Sequence, residues 1–289
     1  MTIHEPVLAL RKADTPRSPA VLVMQRARGA ARLTIAADGP LTRLVESYQS
    51  GSAKLRFPYR SADAPLEATL LNTAGGVTGG DHLSCSVVAE NGARGVVATQ
   101  AAERIYRRSA GVARIETTLT VGADAALDWL PQETILFDRS ALARTLTADV
   151  QPTGRLLAVE AIVLGRAAMR ETARDVIVRD SWRIHRGGKL IFADGLRLDG
   201  DAVATMAGGA TGNGAAAIAT LLLVAPDAET RIDAARDALI DAAGEAGASA
   251  WSGMLVARLI AATGQALRAD LMRLIIALRG ASMPRVWHC

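Results

Sequence analysis

Hydrophobic and polar positions alternate with period two along most of the chain from residue 21 to about residue 207. In "RIETTLTV" (114–121), Ile115, Thr117, Leu119 and Val121 share one face, while Glu116, Thr118 and Thr120 share the other. Side chains alternate across a strand, so the pattern predicts a half-buried strand with one wet face. After "GAD" comes "AALDWLPQETILF", another strand-like stretch in which Pro131 marks an edge or a bulge. "RLLAVEAIVLG" (155–165) is apolar on both faces apart from Glu160, as a central strand covered on both sides would be. Short turn pairs separate the runs. Asn91-Gly92, Gly187-Gly188, Asp194-Gly195 and Asp199-Gly200 read as tight turns between neighbouring strands, since glycine and asparagine accept positive φ. The expected fold class is mainly β, with a large antiparallel β-sandwich or barrel-like body. No internal sequence repeat is visible.

The pattern changes after about residue 205. "GGATGNG" (208–214) reads as a flexible joint and "AAAIATLLLVA" (215–225) as a strand. In "DAETRIDAARDALIDAAG" (227–244), Ile232, Ala235 and Leu239 recur at helical spacing, with Asp227 placed to cap and Gly244 to terminate. "WSGMLVARLIA" (251–261) is strand-like. "GQALRADLMRLIIALRG" (264–280) aligns Leu267, Leu271, Leu274, Ile275 and Leu278 on one helical stripe. The expected organisation is a loosely ordered lead-in over 1–20, a β-rich body over 21–207, and a C-terminal β-α-β-α portion over 208–289. That last portion carries two helices packed on the body, in one continuous domain.

Composition narrows the classes of function. Half of the 289 residues are hydrophobic, which removes disorder for the bulk of the chain. Only ten residues are Phe, Trp or Tyr, too few for the stacking platform of a single-strand nucleic-acid binder. A net charge of +4 suits an acidic protein partner at least as well as a nucleic acid. Cys85 and Cys289 make no disulfide framework, which points to a reducing compartment. The first residues carry Glu5 and no apolar core before their charges, unlike a secretory signal. The apolar run 215–225 falls short of the roughly 18 residues of a membrane helix, so the expectation is a cytoplasmic protein with no membrane association.

Candidate chemistry is sparse. "NTAGGVTGGD" (72–81) packs four glycines into ten positions, but it lies between two strand-like segments and no lysine follows. A phosphate loop needs a helix N-terminus after its glycines. The loop therefore reads as a strand-to-strand connection; a small-molecule or nucleotide-binding enzyme using it is the alternative. The histidines His4, His82, His185 and His288 form no ligand motif. The terminal His288-Cys289 pair is either a solvated tail or a soft-metal pair. Asp81, Glu103, Asp128, Glu133, Asp138, Glu160 and Glu171 lie in or beside apolar segments. They either pair with arginines or line a polar passage able to hold a cation briefly. Cys85 sits mid-strand, there is no nucleophile elbow, and "AAERIYRR" (101–108) suits a protein-contact edge or a nucleic-acid patch.

Four ordered blocks resemble the urease accessory protein UreD family (UreH in some organisms): "LLNTAGGVTGGD" (70–81), "ATQAAERIYR" (98–107), "LDWLPQETILFD" (127–138) and "LGRAAMRE" (164–171). "MPRVW" (283–287) is similar to that family's ending, and Arg170 stands where the family usually has glycine. The resemblance implies a largely β, non-enzymatic scaffold and nickel chaperone that holds no permanent cofactor. It implies that UreF, through UreF the GTPase UreG, and apo-urease are partners in a hetero-oligomer, a dimer of heterodimers among the arrangements open to it. Ni²⁺ would be in transit, with Asp138, Glu171, Asp81 and Glu103 as carboxylates along an internal route. Asp81 is placed either to face that passage or to fasten its turn.

Overall fold

The computed structural model describes residues 25–59 and 64–288; the 1–20 lead-in, His4 and Cys289 lie outside them. The chain runs through β1 (Arg28–Asp38), β2 (Leu41–Gly51), β3 (Ala53–Arg56), β4 (Leu66–Asn72), β5 (His82–Ala89) and β6 (Arg94–Thr99). It continues through β7 (Glu103–Ile105), β8 (Ala113–Val121), β9 (Ala126–Leu130), β10 (Thr134–Leu136), β11 (Ala141–Val150) and β12 (Arg155–Leu164). Then come β13 (Val176–Arg186), β14 (Lys189–Gly200), α1 (Ala202–Ala207) and β15 (Ala217–Val224). The tail is α2 (Ile232–Leu239), β16 (Glu245–Trp251), β17 (Met254–Ala261) and α3 (Gly264–Arg279).

The fold is mainly β, as the alternation implies, but the expected antiparallel sandwich or barrel is not what forms. One sheet has the order β14-β13-β11-β8-β5-β1-β2, and the other follows β16-β17-β15-β12-β9-β6-β4-β3 with β10 and β7 attached through β12. In the first sheet β1, β5, β8, β11 and β13 are mutually parallel neighbours. In the second, β4, β6, β9 and β12 are parallel as well. The chain crosses between sheets on each pass, β5 to β6, β8 to β9 and β11 to β12, so the body is a two-sheet coil resembling a solenoid. Antiparallel pairs occur toward its margins, as in β1–β2, β13–β14 and β15–β17.

Asn91-Gly92 is therefore a corner between sheets and not a hairpin. Successive corners stack through backbone bonds: Gly92 N–H donates to Ala123 O, Gly122 N–H to Ala89 O, and Gln151 N–H to Val121 O. Gly187-Gly188 does close a hairpin, β13 to β14. Asp194-Gly195 lies inside β14 and Asp199-Gly200 at its end, where β13 pairing continues. Pro131 follows the last residue of β9 and ends the strand, as a residue without an N–H should.

Alternation places Leu33, Val87, Leu119 and Leu146 from the first sheet against Leu127 and Leu156 from the second, all fully buried. The outer face of the second sheet is covered by α2 and α3, whose Leu239, Leu267, Leu271, Leu274 and Leu278 pack on Leu157, Leu221 and Leu255. α3 begins with Thr263 accepting from Ala266 N–H and ends at Gly280 in a left-handed conformation, so both ends match the sequence pattern. α2 is shorter than expected. Asp227 accepts from Arg231 instead of capping the helix, and the chain leaves helical structure near Leu239 to enter β16. The tail is thus β-α-β-β-α, with a hairpin at Ser252-Gly253, both at positive φ.

Candidate functional site: a motif-built pole and the cavity behind it

The parallel register stacks connections 72–81, 106–112, 137–140 and 165–175 at one end of the coil. Glycine serves close approach here. A Cβ on Gly76 would lie 2.4 Å from the Tyr106 ring, and one on Gly79 would lie 2.3 Å from Ala110 O. Val77 N–H donates to Arg104 O and Tyr106 N–H returns to Val77 O, so the loop joins the next coil as an extra bridge. Gly80 N–H donates to Val112 O, and Thr78 N–H is held by Asp81. These backbone donors are spent inside the protein, and the loop leads into β5 and not into a helix, so no anion cradle assembles.

A chain of side-chain contacts ties the blocks together. Glu171 accepts from Arg166 Nε at 2.6 Å, and the Arg166 guanidinium lies 4.1 Å over the Phe137 ring. Phe137 meets Tyr106 edge-to-face at 5.0 Å, and the Tyr106 hydroxyl donates to Gly75 O at 2.9 Å. Blocks separated by up to about 100 residues thus meet on one face. Arg170 has φ 54, a left-handed conformation that glycine adopts without strain.

The four candidate carboxylates take different positions on this frame. Asp81 is buried and fastens its turn: Oδ1 accepts from Ala27 N–H and Oδ2 from Thr78 N–H, each at 2.8 Å. Asp138 accepts from Arg174 N–H and Asp175 N–H at 3.0 Å. The Asp175 bond first, and then the Arg174 bond, hold its carboxyl below the ordinary aspartate range. Glu171 is clasped by Arg166. Glu103 alone of the four lines the main cavity, accepting from Asn72 Nδ2 at 3.0 Å. Burial pushes its pKa up to about 7, against the pull of the Asn72 hydrogen bond.

That cavity, about 230 Å³, lies between the sheets and is bordered by Asn72, Cys85, Glu103, Trp129, Arg144 and Glu160. Burial raises the Cys85 thiol to about 12, so it stays protonated and is a poor thiolate ligand. Behind it a second cavity of about 70 Å³ is bordered by Asp180, Trp182, Asp194 and Arg258, and it shares Arg144 and Glu160 with the first. Arg144 bridges this junction, donating at 2.5 Å to Glu160 from β12 and at 2.5 Å to Asp180 from β13. Trp129 Nε1–H also donates to Glu160. Burial raises the Glu160 pKa, opposed by Arg144. Burial pulls the Arg144 pKa down, but the Asp180 and Glu160 carboxylates outweigh it and raise it above the ordinary arginine value.

The sequence reading passed over Arg144 and Asp180. Both carry the inward parity of their strands, Arg144 between Leu142 and Leu146, Asp180 between Val178 and Trp182. A charge on an inward position was the available signal. Of the other carboxylates, Asp128 pairs with Arg155 and Arg279, and Glu133 with Arg268. His82 pairs with Glu116 on the outer face, while His185 lies in β13 and His288 ends the last 3-10 turn. Among the described residues no group of three or more His, Cys, Asp or Glu side chains is placed to hold a metal ion. No helix among them is long and apolar enough to cross a membrane.

The family model for the UreD urease accessory protein matches residues 27–288. "Urease accessory protein UreD 2" of Methylorubrum populi is 48% identical over 283 residues, covering 96% of this chain and 94% of that one. "Urease accessory protein UreD" of Rhizobium leguminosarum bv. trifolii is 51% identical over 265 residues, covering 91% and 96%. A match across nearly the whole described fold, including all four blocks of the pole, shows that the chain belongs to the UreD family of urease accessory proteins.

Proposed function

We propose that this chain is a non-catalytic scaffold for urease maturation, working in the cytoplasm. In this reading it bridges UreF, with UreG held through UreF, to apo-urease within a hetero-oligomer, and Ni²⁺ crosses it as cargo. The observation that carries the reading is the convergence of the four family blocks on one pole, with the carboxylate-bearing cavity directly behind it. Glu103 offers an oxygen donor inside the cavity, and Glu160 borders both compartments. Asp138 and Glu171 lie on the pole outside the cavity lining and would extend the polar route there, while Asp81 fastens its turn. Oxygen ligands hold Ni²⁺ more weakly than a histidine or thiolate cage, which suits a passage that must release the ion.

The test is a urease activation assay with the complete accessory set. Asp138→Ala with Glu171→Ala is expected to lower nickel incorporation while the accessory complex still forms on a sizing column. Wild-type incorporation by the double variant, with the complex intact, would remove these two residues from the route.

Glu103 makes a further expectation about pH. Its folded pKa of about 7 exceeds the unfolded glutamate value of about 4.3. Between those values the folded state binds more protons, so the contribution of this group to stability falls as pH rises from about 4.5 to 7. Thermal melts of Glu103→Gln should lack that part of the decline. Superimposable pH profiles for the two proteins would show that Glu103 is not buried as described.

A further inference from the structure

The pole is strongly basic. Segments 104–110, 138–140 and 166–175 contain seven arginines and three carboxylates, an excess as large as the net charge of +4 on the entire chain. Two of the three carboxylates are engaged, Asp138 on backbone N–H groups and Glu171 on Arg166. Arg107, Arg139, Arg170 and Arg174 are exposed. Met169, next to Arg170 in the same turn, is 67% exposed.

Arg139 and Arg170 both hold left-handed backbone, φ 62 and φ 54. Arginine is disfavoured there relative to glycine or asparagine, and strained positions of this kind cluster at functional sites. Among the described residues, neither side chain makes a hydrogen bond or ion pair with another part of the chain. The strain therefore leaves two unspent cations facing outward. An exposed methionine among arginines is an adaptable, polarizable contact centre, as protein interfaces favour.

We infer that this pole is a docking surface for an acidic protein surface, with Arg107, Arg139, Arg170 and Arg174 reading its charge and Met169 adding an exposed apolar contact. A single-stranded nucleic acid would draw on aromatic faces for stacking, and Tyr106, the aromatic side chain of the 104–110 segment, is already packed on Phe137. A duplex, which needs only phosphate contacts, is set against the acidic partner in the test below. Residues Gly75 and Arg104 border the main cavity, so the docked partner would sit beside its mouth. The identity of that partner as a member of the maturation assembly rests on the function proposed above; its acidic character does not.

The test uses the full chain and two four-residue variants. Arg107→Gln, Arg139→Asn, Arg170→Asn and Arg174→Gln remove the pole charges, with asparagine chosen because it accepts left-handed backbone. Arg43→Gln, Arg94→Gln, Lys189→Gln and Arg236→Gln remove four exposed cations elsewhere on the surface. Polyglutamate affinity should fall at least about tenfold, with a flatter salt dependence, in the pole variant and less than about twofold in the control. Equal losses in both variants would overturn the inference, as would duplex DNA binding the pole more tightly than polyglutamate. Co-purification with apo-urease and the other accessory proteins gives the second reading. A pole variant that joins the assembly as well as wild type would also overturn the inference. A wild-type chain that joins no such assembly would sink the maturation reading instead, leaving polyglutamate to decide the charge preference.

Discussion

Arg144→Met is expected to cost about 3–5 kcal/mol of folding stability, the penalty for leaving a buried charge without its partner. The side chains of Arg144, Glu160 and Asp180 are only 3%, 6% and 8% exposed, and one guanidinium serves both carboxylates. Removing it takes the ion-pair partner from two acids held between the sheets. Thr134 Oγ1 and Trp129 Nε1, the other partners of the cluster, cannot supply a positive charge. A triple variant, Arg144→Met with Glu160→Gln and Asp180→Asn, should recover most of the loss, because the orphaned charge is then gone. Urea denaturation of the three proteins checks this. A loss below about 1 kcal/mol in the single variant, or no recovery in the triple, would mean that the cluster is not an interdependent buried ion triad.

The cluster also shows what the sequence made legible. Period-two alternation located strands such as 114–121 and 155–165 because a half-buried or central strand imposes the same pattern whichever way its neighbour runs. It could not give strand direction. The Asn91-Gly92 turn chemistry serves a hairpin and an inter-sheet corner equally well, and the corner forms because Gly92 N–H bonds to the next coil. The coil advances 32 residues from Arg94 to Ala126 and 29 from Ala126 to Arg155, too irregular in length and residue type to show as a sequence repeat. α3 was readable from its stripe, while α2 was overestimated because residues 228–231 form a 3-10 turn before it and the chain turns after Leu239 to reach β16.

Candidate-site residues divide the same way. The family blocks marked Asp81, Glu103, Asp138 and Glu171, but only the parallel stacking shows that their loops meet. It also shows that Glu103 turns to the cavity while Asp81 binds the backbone of Ala27 and Thr78. Arg144 and Asp180 became conspicuous only once their strands had an inner face to occupy.

The second large effect concerns metal delivery. If this chain links the nickel-carrying accessory proteins to apo-urease, omitting it should leave the enzyme folded but starved of nickel. Glu103→Gln should fall between that state and wild type, because the cavity loses one anionic oxygen while the pole and its partners stay in place. The decisive measurement is the nickel content per active site of urease purified from cells that produce the full accessory set with or without this chain. The expected result is abundant urease protein carrying only background nickel in its absence, restored by the wild-type chain. Equal nickel content with and without the chain would contradict its role in urease maturation.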